Sequence, residues 1–220
     1  LADSSRGIVI CFRNVLTRHG HTDITDESIK RTIGKTLEDS FSILTGITDK
    51  NTLISYKKEY VKEADIHMTA NTKFFPETVA VLKALKKRGA QIGIISTKYR
   101  YRIHEMVDQH FPNKFFDIII GREDVKKAKP SPQGLLKALR CLHRKKKDTL
   151  YIGDSIIDAQ TALLAGVDFV GVLNGMTTRE ELAEYRHRQI LPDLTLLPLI
   201  NKETTPPLLQ RLVPHKALIY

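Results

Sequence analysis

From Ser4 to His19 the apolar residues Ile8, Val9, Cys11, Phe12, Val15 and Leu16 recur at the spacing of one helix face, and Gly20 follows as a stop. Thr25-Asp26-Glu27 opens a second, short helix. Thr36, with Asp39 three residues on, resembles a capping box for a third, and Asn51 to Ala64 carries the pattern of a fourth. Up to Phe75 no strand pattern is found. After Pro76, a good first-turn residue, Val79, Leu82 and Leu85 mark a helix that Gly89 closes.

From there the pattern changes. Gln91–Ser96, Phe116–Ile120, Thr149–Ile152 and Phe169–Val172 are short apolar runs without a polar face, as strands covered on both sides should be. Helical patterns at Arg100–His110, Pro132–His143 and Ser155–Ala165 lie between them. Strand–helix alternation of this kind implies a parallel sheet with right-handed crossovers. A helical first third therefore joins an α/β remainder near residues 70–76. The tail after Ile200, with Pro206-Pro207, shows no period and receives no assignment.

In open α/β sheets ligands sit beyond the carboxyl ends of the strands, so the polar residues following each apolar run carry the chemistry. Gly153-Asp154-Ser155-Ile156-Ile157-Asp158 ends one run with two acids four residues apart, stacked on one side of a helix's first turn. Paired carboxylates repel unless a cation or hydrogen bonds compensate, and hard oxygen donors suit magnesium. Helix capping by Asp154 with a solvated Asp158 is the alternative. Ser96-Thr97-Lys98 ends another run with two hydroxyls ahead of a helix whose free amides could hold a phosphate; an ordinary cap is the alternative there. In Lys126-Lys127-Ala128-Lys129-Pro130-Ser131-Pro132 the prolines fix an extended lead that holds Lys129 in a defined place, where it could neutralise phosphate or carboxylate, or stand as a plain surface lysine.

Composition narrows the field. The 220 residues carry a formal charge of +10, which favours anionic partners without naming one. Lys86-Lys87-Arg88 and Arg144-Lys145-Lys146-Lys147 fall where helices should end, favourable with the helix dipole, and no basic–aromatic interleaving or zinc-finger spacing is present. Nucleic acid is not the expected partner. Cys11 and Cys141 lie within helical patterns and read as buried free thiols, which suits a cytoplasmic location. No apolar run is long enough for a membrane helix, so no membrane partner is expected.

The order of hydroxyl strand end, Lys-Pro loop and Gly-Asp-x-x-x-Asp resembles the second, third and fourth signature motifs of the haloacid-dehalogenase (HAD) superfamily. Pro76-Glu77 to Gly89 and Ala165-Gly166-Val167 are similar to the family as well, and the likeness spans Leu1 to Leu199. Gly121-Arg122-Glu123-Asp124 and Lys129-Pro130-Ser131-Pro132 most resemble its phosphoglycolate phosphatase branch.

The resemblance implies a Rossmann-like, doubly wound parallel sheet formed by residues 1–5 and 76–220, with a small α-helical cap inserted at 6–75. It implies Mg2+ held by Asp154 and Asp158, phosphate bound by Ser96, Thr97 and Lys129, and catalytic roles for Lys129 and Ser96. A cap loop of Arg31, Gly34, Lys35 and Thr36 would meet substrate, or else be an ordinary helix connection. The implied partner is a small phosphorylated metabolite, phosphoglycolate-like, acted on by a monomer or homodimer. A β-phosphoglucomutase-like mutase, a pyrophosphatase and an inactive binding or regulatory protein on the same fold remain alternatives.

The family's Asp-x-Asp-x-Thr motif, which supplies its nucleophile, does not occur in the chain. Leu1-Ala2-Asp3-Ser4 resembles the segment that follows that motif, so the nucleophile and the central first strand are expected upstream, and these 220 residues alone are expected to be inert.

Overall fold

The computed structural model describes residues 1–200 and 217–219, which fall into two compact units: Ala2–Phe75, and Leu1 with the described residues from Pro76 onward.

The first unit is helical. Strand β1 (Ala2–Asp3) leads into α1 (Ser5–Arg18), α2 (Asp26–Lys30), α3 (Leu37–Thr45) and α4 (Lys50–His67), and β2 (Lys73–Phe74) returns antiparallel to β1. That two-residue ladder is a correction to the strandless reading, since two residues cannot display a period. The apolar face of α1 is buried as its spacing predicts, with Phe12 against Phe41 and Tyr60 at ring-centroid distances of 4.7 and 4.8 Å. Thr36 caps α3: its hydroxyl accepts from the Asp39 amide at 3.2 Å. Asp49 caps α4 in the same manner, and the helix starts at Lys50, one residue before the expected start.

The second unit is the α/β part. Helix α5 (Thr78–Lys87) precedes β3 (Gln91–Ile95), α6 (Arg100–Val107), β4 (Ile118–Ile120), α7 (Gln133–Cys141), β5 (Thr149–Gly153), α8 (Ile156–Ala165), β6 (Asp168–Val172), α9 (Arg179–Ala183), β7 (Gln189–Leu191) and β8 (Ala217–Ile219). The six strands β3 to β8 form one sheet in the order β4-β3-β8-β5-β6-β7, every neighbouring pair parallel. Helices α7 and α8 bury Leu135, Ala138, Leu139, Ala159 and Ala162 against Tyr151, Phe169 and Ile120. The expected α/β sheet is present.

Its middle differs from expectation. The position between β3 and β5, which the family resemblance leaves to an upstream strand, is filled by β8, with Ile219 opposite both Gly93 and Tyr151 and fully buried. A run of three residues beyond a proline pair gives no local signal, which is why the tail received no assignment. Residues 201–216 and Tyr220 lie outside the described residues. Cys141, expected to be buried, is exposed, because it closes α7 on its outer side; Cys11 is buried.

Candidate active site

The carboxyl ends of β3, β5 and β6 converge on one edge of the sheet, and the residues that follow them make the site. Strand β5 ends at Gly153, and Asp158 folds back from the first turn of α8 to lie directly over it. A methyl group at position 153 would come within 2.6 Å of the Asp158 carboxyl carbon, so this approach requires glycine. Ser155 caps α8, accepting from the Asp158 amide at 3.3 Å.

Asp158 is buried and saturated with donors. Its Oδ1 accepts from Lys129 Nζ at 2.7 Å and from the Tyr151 hydroxyl at 3.0 Å, and its Oδ2 accepts from Ser155 Oγ at 2.7 Å. Burial opposes its ionisation, but the Lys129 ammonium and the hydroxyl donors outweigh burial and hold the carboxyl below its usual range. The same surroundings push the Tyr151 hydroxyl well up, through burial first and then the Asp158 charge. Lys129 is thereby fixed, as the proline-flanked loop predicts, with its side chain only 14% exposed.

Asp154 is the opposite case. Burial raises its pKa, the adjacent Asp158 charge raises it further, and Lys129 only partly offsets this. The loop after β6 presses on it: a methyl at Gly175 would meet the Asp154 carbonyl and Oδ2 at 2.8 Å. Beside Gly175, Asn174 Nδ2 donates to Glu77 Oε1 at 3.5 Å, while Asn174 Oδ1 is buried with no hydrogen-bond partner among the described residues. Glu77 joins this edge through Asn174, and Lys98 joins it through its amide, which donates to Ser96 Oγ.

Among the described residues no cluster of three or more His, Cys, Asp or Glu side chains could hold a metal. Magnesium does not need one, because it keeps several waters and takes one or two carboxylates. A buried carboxyl that resists ionisation beside a buried amide oxygen lacking a donor fits a hydrated cation: the cation would favour the Asp154 charge, and its water would donate to Asn174 Oδ1.

Ser96 stands at the end of β3, its amide donating to the Ile120 carbonyl at 3.0 Å and its Oγ accepting from the Lys98 amide at 3.1 Å. Thr97 follows it. The helix-end amides expected to be open for phosphate are only partly so, since the Arg100 amide donates to the Glu123 carboxylate at 3.0 and 3.1 Å. That anion comes from the Gly121-Arg122-Glu123-Asp124 turn, where Asp124 also accepts from Arg100 Nη1 at 2.8 Å and from the Gly121 amide at 2.9 Å.

Ser96, Lys129, Asp154 and Asp158 are thus all in the α/β unit. Arg31, Gly34, Lys35 and Thr36 are in the helical unit: Arg31 approaches Glu27 at 3.7 Å, Gly34 takes a φ of 98°, Lys35 is exposed, and Thr36 is occupied as a cap. Sequence reasoning assigned no site role to Tyr151, Ser155, Asn174, Glu77 or Lys98. Ser155 was findable as a cap; Tyr151 was read as one more apolar strand residue.

A solved haloacid dehalogenase-like hydrolase from Bacteroides fragilis is 59% identical to the chain, with a TM-score of 0.88 over 90% of this chain and 94% of that one. The Pyrophosphatase PpaX of Bacillus mycoides is 28% identical over 203 residues, covering 92% of this chain and 93% of its own. A predicted phosphoglycolate phosphatase from Haemophilus somnus shares the fold at a TM-score of 0.81, with 17% identity over 91% of this chain and 92% of its own. The family model for haloacid dehalogenase-like hydrolases matches residues 1–172. With its parallel sheet and these relatives, the chain belongs to the haloacid dehalogenase-like hydrolase family and is an enzyme of the phosphoric ester hydrolase type.

Proposed function

We propose that the chain carries the cation- and phosphate-binding apparatus of a magnesium-dependent phosphatase for a small phosphorylated metabolite, phosphoglycolate-like in size and charge. The observation that carries this reading is the unequal pair: Asp158, fully bonded and held ionised by Lys129, beside Asp154, whose charge Lys129 only partly compensates.

Asp154, with Asn174 beside it, would hold the cation. Bound magnesium would offset repulsion between the carboxylates and a phosphoryl group. Asp158 supports the site by orienting Lys129, whose ammonium meets the phosphoryl oxygens, with Ser96 Oγ and the Thr97 amide as further donors. The nucleophile in this reading is an aspartate outside the 220 residues, forming an aspartyl-phosphate that water then hydrolyses. The helical segment at 6–75 acts as the cap, and Arg31 and Lys35, on the turn shaped by Gly34 and Thr36, offer cations to substrate. The free thiols of Cys11 and Cys141 suit a reducing cytoplasm.

The test is phosphate release by the full gene product from phosphoglycolate, pyrophosphate, nucleotides and sugar phosphates, with and without magnesium. Release from phosphoglycolate that EDTA abolishes, and that Asp154→Asn removes, is the expected outcome. Interconversion of sugar phosphates without release would assign a mutase, and no turnover by the full product would assign a binding protein. The pyrophosphatase relatives favour a second reading, in which pyrophosphate is the better substrate.

A further inference from the structure

A groove of ≈ 1190 Å3 runs along α7, distinct from the residues gathered at the carboxyl edge of the sheet. The nine residues of α7 span about 14 Å, and the groove's character changes along that length. Lys126 and Lys127 line it before the helix begins, Leu136 and Leu139 line its middle, and Arg140, Lys145 and Lys146 line it where the helix ends. No Asp or Glu among the described residues contributes to the lining.

These five cations have no carboxylate partner among the described residues, whereas Lys129 and Lys137 nearby have Asp158 and Asp124. Solvated protein surfaces usually intersperse both signs, which lowers mutual repulsion. Here one sign is collected at both ends of an apolar strip. The complement is an anion at each end with something apolar between. A nucleic-acid backbone is uniformly charged and would leave Leu136 unfilled, and among the described lining residues the His143 ring is the one stacking surface for a base, where single-strand binders use several. A chain in extended form covers about 14 Å with roughly four residues.

We infer that this groove is a docking site for an extended acidic segment of a partner protein, with an apolar residue seated on Leu136 between carboxylates that meet Lys126–Lys127 and Arg140–Lys146. The probe is a fluorescent peptide with a leucine centre flanked by glutamates, titrated against the protein by anisotropy beside an all-glutamate peptide and a single-stranded oligonucleotide. The leucine-centred peptide should bind saturably and tighter than either control. Lys127→Glu with Arg140→Glu should weaken it by about tenfold or more, a difference of about 1.4 kcal/mol. Leu136→Ala should weaken the leucine-centred peptide but not the all-glutamate one. Circular dichroism of each variant checks that the fold persists, and the charge reversals lie on the surface. Equal binding of the two peptides, tighter binding of the oligonucleotide, or no saturable binding would each overturn the inference.

Discussion

In the helical unit the ionic contacts keep one partner open to water: Arg18, half exposed, reaches Glu59 and Glu63 at 2.7 Å each across from α1 to α4, and His19 joins Glu59 at 2.8 Å. In the α/β unit the corresponding contact is inside, with the Lys129 and Asp158 side chains only 14% and 7% exposed and two hydroxyls bound to the same carboxylate. Water can replace a lost partner in the first case. In the second it cannot, and removing one member strands a charge with oriented donors around it. The sheet edge thus ties integrity to the residues proposed to do chemistry, while the helical unit holds together through the ring stack of Phe12, Phe41, Tyr56 and Tyr60 and treats its charges as trim.

That contrast can be broken in graded steps. Lys129→Ala should cost about 3–5 kcal/mol in urea unfolding, because Asp158 is left buried and ionised. A value near that of a surface pair would erase the distinction. Gly153→Ala should cost about 1–3 kcal/mol, since the methyl presses on Asp158, and the same change in the open turn at Gly20 should not show that steric component. Asn174→Ala should weaken magnesium binding by roughly 10–100-fold, measured by calorimetric titration, with little change in melting temperature. Arg18→Ala should cost only about 0.2–1 kcal/mol.

The smallest effect is with pH. Hydrogen bonds from Asn14 and Arg18 hold the Glu63 carboxyl below its usual value. Its folded pKa being depressed, its contribution is present above the unfolded value of about 4.3 and is lost as pH falls through the lower folded value. Unfolding midpoints of wild type and Arg18→Ala followed from neutral pH downward should converge in that window.

How much of this was legible beforehand follows from the range over which each signal acts. Strands β3, β5 and β6 are runs of four or five apolar residues and announce themselves; β7 and β8 are three residues long, and β1 and β2 are two. The pairing of Asp154 with Asp158 is a local spacing and was readable. The blocking of the α6 amide by Glu123, which is 23 residues on, depends on a turn that local pattern does not place. Tyr151 was hidden because a hydroxyl on an apolar strand reads as packing until its acceptor is known. Cys141 was misread because a helical period shows which residues share a face but not how far that face is covered at its last turn.

The strand at Ala217–Ile219 sets the order in which the sheet can be finished. Because it separates β3 from β5 and follows both in sequence, neither of those strands gains its inner neighbour until nearly all the other described elements have been made. Contacts of such long sequence separation form slowly, and unpaired apolar strands invite association with other chains in the interval. On a ribosome, Ile92 and Tyr151 await their neighbour until the chain has grown to Ile219, so the helices on either face must shield a two-part sheet until the late strand arrives.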